Sequence, residues 1–302
     1  MKIFLITLSI IPFILFGQTQ WTQKANVPDK LNAATGFSIG NYGYLGLGWN
    51  PFAVKNFYKY DTTANSWTFV NVFPGAAIGY SEGFCINGKG YLAIGQGSVT
   101  TNEVWEYDPV LNNWIPKANF AGGIRTEGAS FVIGNKAYLG TGIGSIGAVK
   151  DLYQFDPILN IWTQKTNYPG GKVWGTTGFS IGNKGFIGLG SDTAGNYLNT
   201  FYEYDPTGNS WIQKANFPGV GRVRSVSFSI NGKGYVGCGI DLNAISLNGF
   251  YEYDPLSNSW TQISSLSTLP RQSGVSFVIN NAAYVGTGAN MGSPYYNDFW
   301  KF

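Results

Sequence analysis

Six tryptophans divide this chain. Trp21, Trp67, Trp114, Trp162, Trp211 and Trp260 stand 46, 47, 48, 49 and 49 residues apart, and each opens a similar unit. One unit reads "WTQKTNYPGGKVWGTTGFSIGNKGFIGLG" and runs on to "NTFYEYDPTGNSW". Each carries four strand-like pieces, here "WTQK", "GFSIG", "KGFIGLG" and "TFYEYD", separated by short turns rich in Gly, Asn, Asp and Pro. Four strands repeated with a period of roughly 50 residues predict a ring of small antiparallel sheets. Composition agrees: 17% aromatic residues and 42 glycines, against 12% charged residues, favour short strands and tight turns over helices.

Repetition also decides what is scaffold. The stretch Thr200 to Gly219 gathers carboxylates, tyrosines, a Trp and a Lys, and so looks like a site. Yet Tyr204, Asp205, Pro206, Asn209 and Trp211 recur as Tyr253, Asp254, Pro255, Asn258 and Trp260. Asp and Asn bond to nearby backbone, Pro presets φ, and Trp supplies apolar area between neighbouring sheets. Copies of one turn serve equivalent places in a ring, not one chemistry.

The units resemble kelch repeats. They share an Arg before the first strand ("GRVRSVSFSI"), a Tyr-x-x-x-Gly second strand ("YVGCG"), a Tyr-Asp turn and a following Trp. The resemblance covers Trp21 to Phe302, with one departure: the usual Gly-Gly pair appears as Gly-x-Gly, in "GLG", "GTG" and "GCG". It implies a β-propeller whose first strands are innermost. The last unit stops at "NDFWKF" without a Trp strand, whereas "QWTQKA" precedes any complete unit. Pairing these two predicts an all-β, six-bladed propeller of four-stranded kelch-type blades, closed by the N-terminal strand completing the last blade.

Loop lengths separate the two faces of the disc. First- and second-strand aromatics lie seven residues apart (Phe37 to Tyr44, Phe277 to Tyr284), as do the third-strand aromatic and the Trp (Tyr60 to Trp67, Tyr253 to Trp260). The other two connections vary in length and share the opposite face, where a rigid scaffold would carry recognition loops. Subtracting the repeat leaves five acids beside that face: Asp29, Glu82, Glu127, Asp192 and Asp241. One column of the loop entering the first strands reads Ala33, Tyr80, Glu127, Gly175, Arg224, Ser273; its neighbour reads Asn32, Gly79, Thr126, Trp174, Val223, Gln272. These columns predict a central mouth bearing Tyr80, Glu127, Trp174 and Arg224, a polar and aromatic pocket. Trp49, Glu82 and Lys172 join the candidate binding residues. So do Arg125, Arg222 and Arg271, although their shared repeat position also suits support of the blades.

Several chemistries drop out. The chain has no histidine, which removes Ser-His-Asp, Cys-His and imidazole-ligated metal centres. That includes the copper ligands of the oxidases that carry kelch-type propellers. "GIGSIG" (Gly142 to Gly147) matches a dinucleotide fingerprint by letters but lies between strands with no following helix. Asp192 and Asp241 each offer a loop one carboxylate, few for calcium. No catalytic residue, metal or cofactor is expected. A net charge of +3 without a basic run leaves no nucleic-acid footprint.

Lys2 followed by the apolar run Ile3 to Phe16, broken by Pro12, is too short to span a bilayer and suits a signal peptide over residues 1–17. The mature propeller, 18–302, is then secreted, periplasmic or on the cell surface, with no membrane insertion. Cys85 and Cys238 fall on opposite sides of the ring, too far apart to bridge, and read as two buried thiols. The function expected is a non-enzymatic recognition module that binds a glycan or a protein partner on the variable face. The alternative is an enzyme that uses Arg and carboxylates at the mouth, acting on an acidic sugar like the kelch-like sialic-acid mutarotases, or on a glycoside.

Overall fold

The structure is a computed structural model that describes residues 21–291 and 295–302. The signal segment expected at 1–17 lies outside the described residues. Within them the fold is all-β and propeller-like. Among the described residues no helix is long and apolar enough to cross a membrane.

Six four-stranded antiparallel sheets form among the described residues. The first consists of Thr35–Ile39, Tyr42–Gly46, Asn56–Asp61 and Ser66–Val72, paired in that order. The next four repeat the pattern, beginning at Glu82–Ile86, Ala129–Ile133, Thr177–Ile181 and Val226–Ile230. The sixth starts at Val275–Ile279 and ends with Thr22–Lys24 paired to Phe299–Lys301, in the register Thr22 with Lys301 and Gln23 with Trp300. First strands of successive sheets pack side by side, and that of the sixth packs on that of the first.

Burial peaks at the second strand of each sheet and falls from there outward. Second strands such as Lys233–Gly237 are buried at almost every position because neighbouring sheets cover both faces, so their sequence is apolar without alternation. Outer strands such as Ser259–Ile263 are largely exposed and read as polar. The constant spacings become cross-strand pairs: Phe37 faces Tyr44, and Tyr253 faces Trp260. Outer-strand tryptophans stitch one sheet to the next, for the Trp67 indole N–H donates to Ala25 O (2.9 Å) and that of Trp260 to Ala215 O (2.9 Å). The Tyr-Asp turn is scaffold, as its repetition implies. Tyr204 donates its hydroxyl to Asn209 Oδ1 (2.7 Å), the same oxygen accepts from Thr166 N (3.0 Å), and Asp205 Oδ1 accepts from Thr207 N (2.9 Å).

The Gly-x-Gly variant has a geometric cause. At the first glycine the third strand comes so close that a Cβ on Gly286 would meet Asp298 O at 2.6 Å and the Phe299 ring at 2.8 Å. The second glycine turns the chain left-handed, with φ of 96° at Gly190 and 92° at Gly239. The intervening residue is left-handed too, as at Leu189 (62°) and Cys238 (58°). Both cysteines are free. Cys238 is fully buried, which pushes its thiol up to about 12. Cys85, expected to be buried, is only half so, because its first strand lines a central channel.

Candidate functional site

Each loop entering a first strand places one residue in the left-handed region: Ala33 (54°), Tyr80 (53°), Glu127 (55°), Gly175 (66°), Arg224 (58°) and Ser273 (52°). For the five that are not glycine this conformation costs about 1 kcal/mol each. Main-chain bonds between neighbouring loops offset it. Tyr80 N donates to Ala33 O (3.1 Å), Glu127 N to Tyr80 O (3.4 Å), Gly175 N to Glu127 O (2.9 Å), Arg224 N to Gly175 O (3.0 Å), Ser273 N to Arg224 O (3.0 Å) and Ala33 N to Ser273 O (3.0 Å). The chain thus frames a mouth with a ring of six peptide groups, one from each loop.

The large side chains on this frame meet. Arg224 reaches across to Glu127 with Nε on Oε2 (3.0 Å) and Nη2 on Oε1 (2.8 Å), a bidentate pair. Its Nη1 donates to Gln272 Oε1 (3.4 Å). The guanidinium lies over the Tyr80 ring at 4.8 Å and the Trp174 ring at 5.7 Å. The Glu127 side chain is 7% exposed and that of Arg224 27%, so the pair is sunk in the mouth with its arginine end toward solvent. Burial opposes the Arg224 charge, but the bonds and field of Glu127 overcome it and hold the guanidinium pKa above its ordinary value.

Beneath the ring lies a cavity of about 110 Å³ bordered by Tyr80, Glu82, Glu127, Thr176, Arg224 and Ser273. Through Glu82 it adjoins a second of about 180 Å³, walled by Ser130, Thr177, Ser227 and Ser276. A third of about 250 Å³ follows, where Cys85 and Ser180 line the channel. Among the described residues Glu82 is the only acid on the walls of the second cavity. Its Oε2 accepts from Ser130 Oγ (2.7 Å). Burial raises its carboxyl to about 7, although bonds from Ser130 pull the other way.

The remaining sequence candidates lie elsewhere. Trp49 is half-buried, with its main chain bonded to Asn32 (2.9 Å) and its indole against Gly79, outside the cavity lining. Lys172 is exposed ahead of the short strand Val173–Trp174. Arg125, Arg222 and Arg271 are buried away from the mouth. Arg125 pairs with Asp151 (2.5 and 2.9 Å) and Arg271 with Asp298 (2.8 and 2.6 Å), so both support the sheets. Two contributors escaped the sequence reading, Ser130 beneath the mouth and Gln272 beside Arg224, though Gln272 stands in the Trp174 column. Within "GIGSIG", Ile143–Gly144 and Gly147–Ala148 form a small hairpin, which settles that stretch as a turn. Asp192 and Asp241 bind the amides of their own loops, Asp192 Oδ1 accepting from Asn196 N (2.8 Å) and Asp241 Oδ1 from Ile245 N (2.9 Å). Among the described residues no cluster of three or more metal-ligating side chains occurs.

No protein-family model matches the chain, and no curated protein does so either. Solved structures do. One described as "Structure of YjhT" aligns with a TM-score of 0.79 over 91% of this chain and 95% of that one, at 21% identity. This likeness shows the fold alone: propeller-like and all-β.

Proposed function

We propose that the chain is an exported, six-bladed kelch-type β-propeller whose mouth recognises a glycan. The partner of Thr22–Lys24 at the other end of the chain and the ring of six peptide groups support the blade count and its closure. The observation that carries the ligand class is the Arg224–Glu127 pair held between the Tyr80 and Trp174 rings. Mutual neutralisation leaves a surface of aromatic faces and unsaturated hydrogen-bonding groups without strong net charge. That combination suits a sugar, whose C–H faces stack on rings and whose hydroxyls both donate and accept. A glycan array probed with the mature chain beside a Trp174→Ala/Arg224→Ala double variant tests this. Binding weakened at least tenfold in the variant is expected. A silent array, with capture of a protein instead, would replace the glycan by a protein partner on the same face.

One observation favours a second reading, acid–base chemistry on an acidic sugar. Glu82 titrates near neutrality and borders the same cavity as Arg224 and Glu127, and a group poised near the working pH can shuttle protons. Proton exchange at a sugar's anomeric carbon, followed by NMR with and without Glu82→Gln, tests it. Equal exchange rates in both samples exclude a role for Glu82.

A further inference from the structure

Aligning the units places Leu31, Ile78, Arg125, Val173, Arg222 and Arg271 at one position. Asn56, Glu103, Asp151, Thr200, Gly249 and Asp298 stand at a second, four residues ahead of the third-strand aromatic. In two units these positions hold an arginine and an aspartate, and the pair is bidentate. The unit of Arg222 has the arginine but carries Gly249 where the carboxylate belongs. Arg222 is nevertheless 3% exposed, and no carboxylate of the described residues lies within ion-pair distance of it.

Its guanidinium keeps the one main-chain bond that its counterparts share, although its Nε is bonded and theirs are not. Nη1 donates to Cys238 O (3.0 Å), just as that of Arg125 donates to Thr141 O (3.1 Å) and that of Arg271 to Thr287 O (2.9 Å). Nη2 lies beside Gly219, as that of Arg125 lies beside Gly122. Nε donates to Val220 O (3.1 Å), and the Phe217 ring stacks at 4.7 Å. Those bonds leave the edge that elsewhere grips an aspartate without a partner. Asp241, the acid nearest in the ladder, is spent on the amides of Asn243 and Ile245. A Cβ on Gly249 would meet only Tyr251 Cε2, at 3.9 Å, so the root of the absent side chain is open; Gly249 is half-exposed, and the Tyr251 ring borders the guanidinium at 5.9 Å.

We infer that Arg222, facing the gap at Gly249, is a binding site for a carboxylate supplied from outside the fold. Two in-line N–H donors on a preoriented guanidinium match a planar carboxylate side-on. A buried cation lacking its counter-ion also gains more from a ligand than a solvated one does. The carboxylate is either a free small acid or the acidic side chain of a docked polypeptide.

Thermal unfolding at constant ionic strength, with sodium acetate replacing chloride, reads this site. Wild type is expected to gain on the order of 3 °C at saturating acetate. Gly249→Asp, whose backbone is not left-handed, should show that gain without acetate and lose the response. Arg222→Val, the residue of the sister position Val173, should also abolish it. NMR line broadening of labelled acetate gives a readout independent of stability, present in wild type and absent in both variants. A blocked tripeptide with a central aspartate separates the sources. Binding tighter than acetate assigns the site to a docked side chain, and weaker binding assigns it to free acids. An acetate effect of equal size in Arg222→Val, or none in wild type by either readout, overturns the inference.

Discussion

Replacing Glu82 by Gln should reshape the pH dependence of stability. The Glu82 carboxyl sits near 7 in the folded chain against an ordinary value of 4.5, because burial in the channel wall disfavours its charge. Between these values the folded chain holds a proton that the unfolded chain has released, so stability falls as pH rises through this window and levels off above it. A gap of about 2.5 pH units, at about 1.4 kcal/mol per unit, sets a ceiling of about 3.5 kcal/mol on the loss. Glu82 is only half-buried by its accessible surface, so solvent screens part of that, leaving about 2 kcal/mol. Glu82→Gln keeps the shape and an acceptor for Ser130 Oγ while removing the charge. Urea unfolding at pH 4.5 should give similar stabilities for wild type and variant, whereas at pH 8 the variant should be the more stable by that amount. Other carboxylates titrate in both proteins and cancel in the difference. Parallel curves from pH 4.5 to 8 would refute the idea that Glu82 is uncomfortable when charged.

Other perturbations bear on the mouth and the scaffold. Arg224→Ala strands Glu127 in a site 7% exposed, and should cost about 2 kcal/mol, less than a fully buried pair because Arg224 itself meets solvent. A double-mutant cycle with Glu127→Ala should return a coupling above about 1 kcal/mol, and additive effects would show that the pair is decorative. Trp21 is 4% exposed, packs on Phe250 and Phe302 at 4.8 and 5.0 Å, and donates to Ser264 O (3.1 Å). Trp21→Ala should therefore cost about 3–5 kcal/mol in chemical unfolding, and deleting "QWTQKA" should lower the melting temperature further. An unshifted transition in the deletion variant is incompatible with closure through that strand. Gly239→Ala forces a Cβ to within 2.6 Å of Ser225 Oγ and 2.8 Å of Val223 O at φ 92°. Its cost should be about 2 kcal/mol, and a neutral result would mean that the turn can relax.

Much of the fold was legible because repetition converts spacing into register. Seven residues between Phe37 and Tyr44 make a two-residue turn that pairs them, and six such intervals leave little freedom. The mouth column was legible for the same reason, since Tyr80, Glu127 and Arg224 broke an otherwise small-residue pattern. Their mutual satisfaction was not. Arg224 and Glu127 are 97 residues apart, and which loops face each other across the ring depends on its curvature, which no local pattern encodes. Glu82 was singled out as an acid outside the repeat, but its burial was not legible. It stands where other units have Thr35, Ala129 or Thr177, and only the packing of the neighbouring Ser130 reveals a carboxylate inside the wall. The unmatched Arg222 could have been found from columns alone, by reading the arginine position against the one four residues ahead of the third-strand aromatic.

The ring of peptide groups has a consequence for how this surface can change. Its six bonds are made by main-chain atoms, so the shape of the opening does not depend on which side chains stand there. The six positions already hold residues as unlike as Ala33, Glu127, Gly175 and Arg224 in one conformation. They behave as interchangeable sockets on a fixed rim. A library randomised at 33, 80, 175 and 273, with 127 and 224 varied together as a pair, should therefore yield folded members at high frequency.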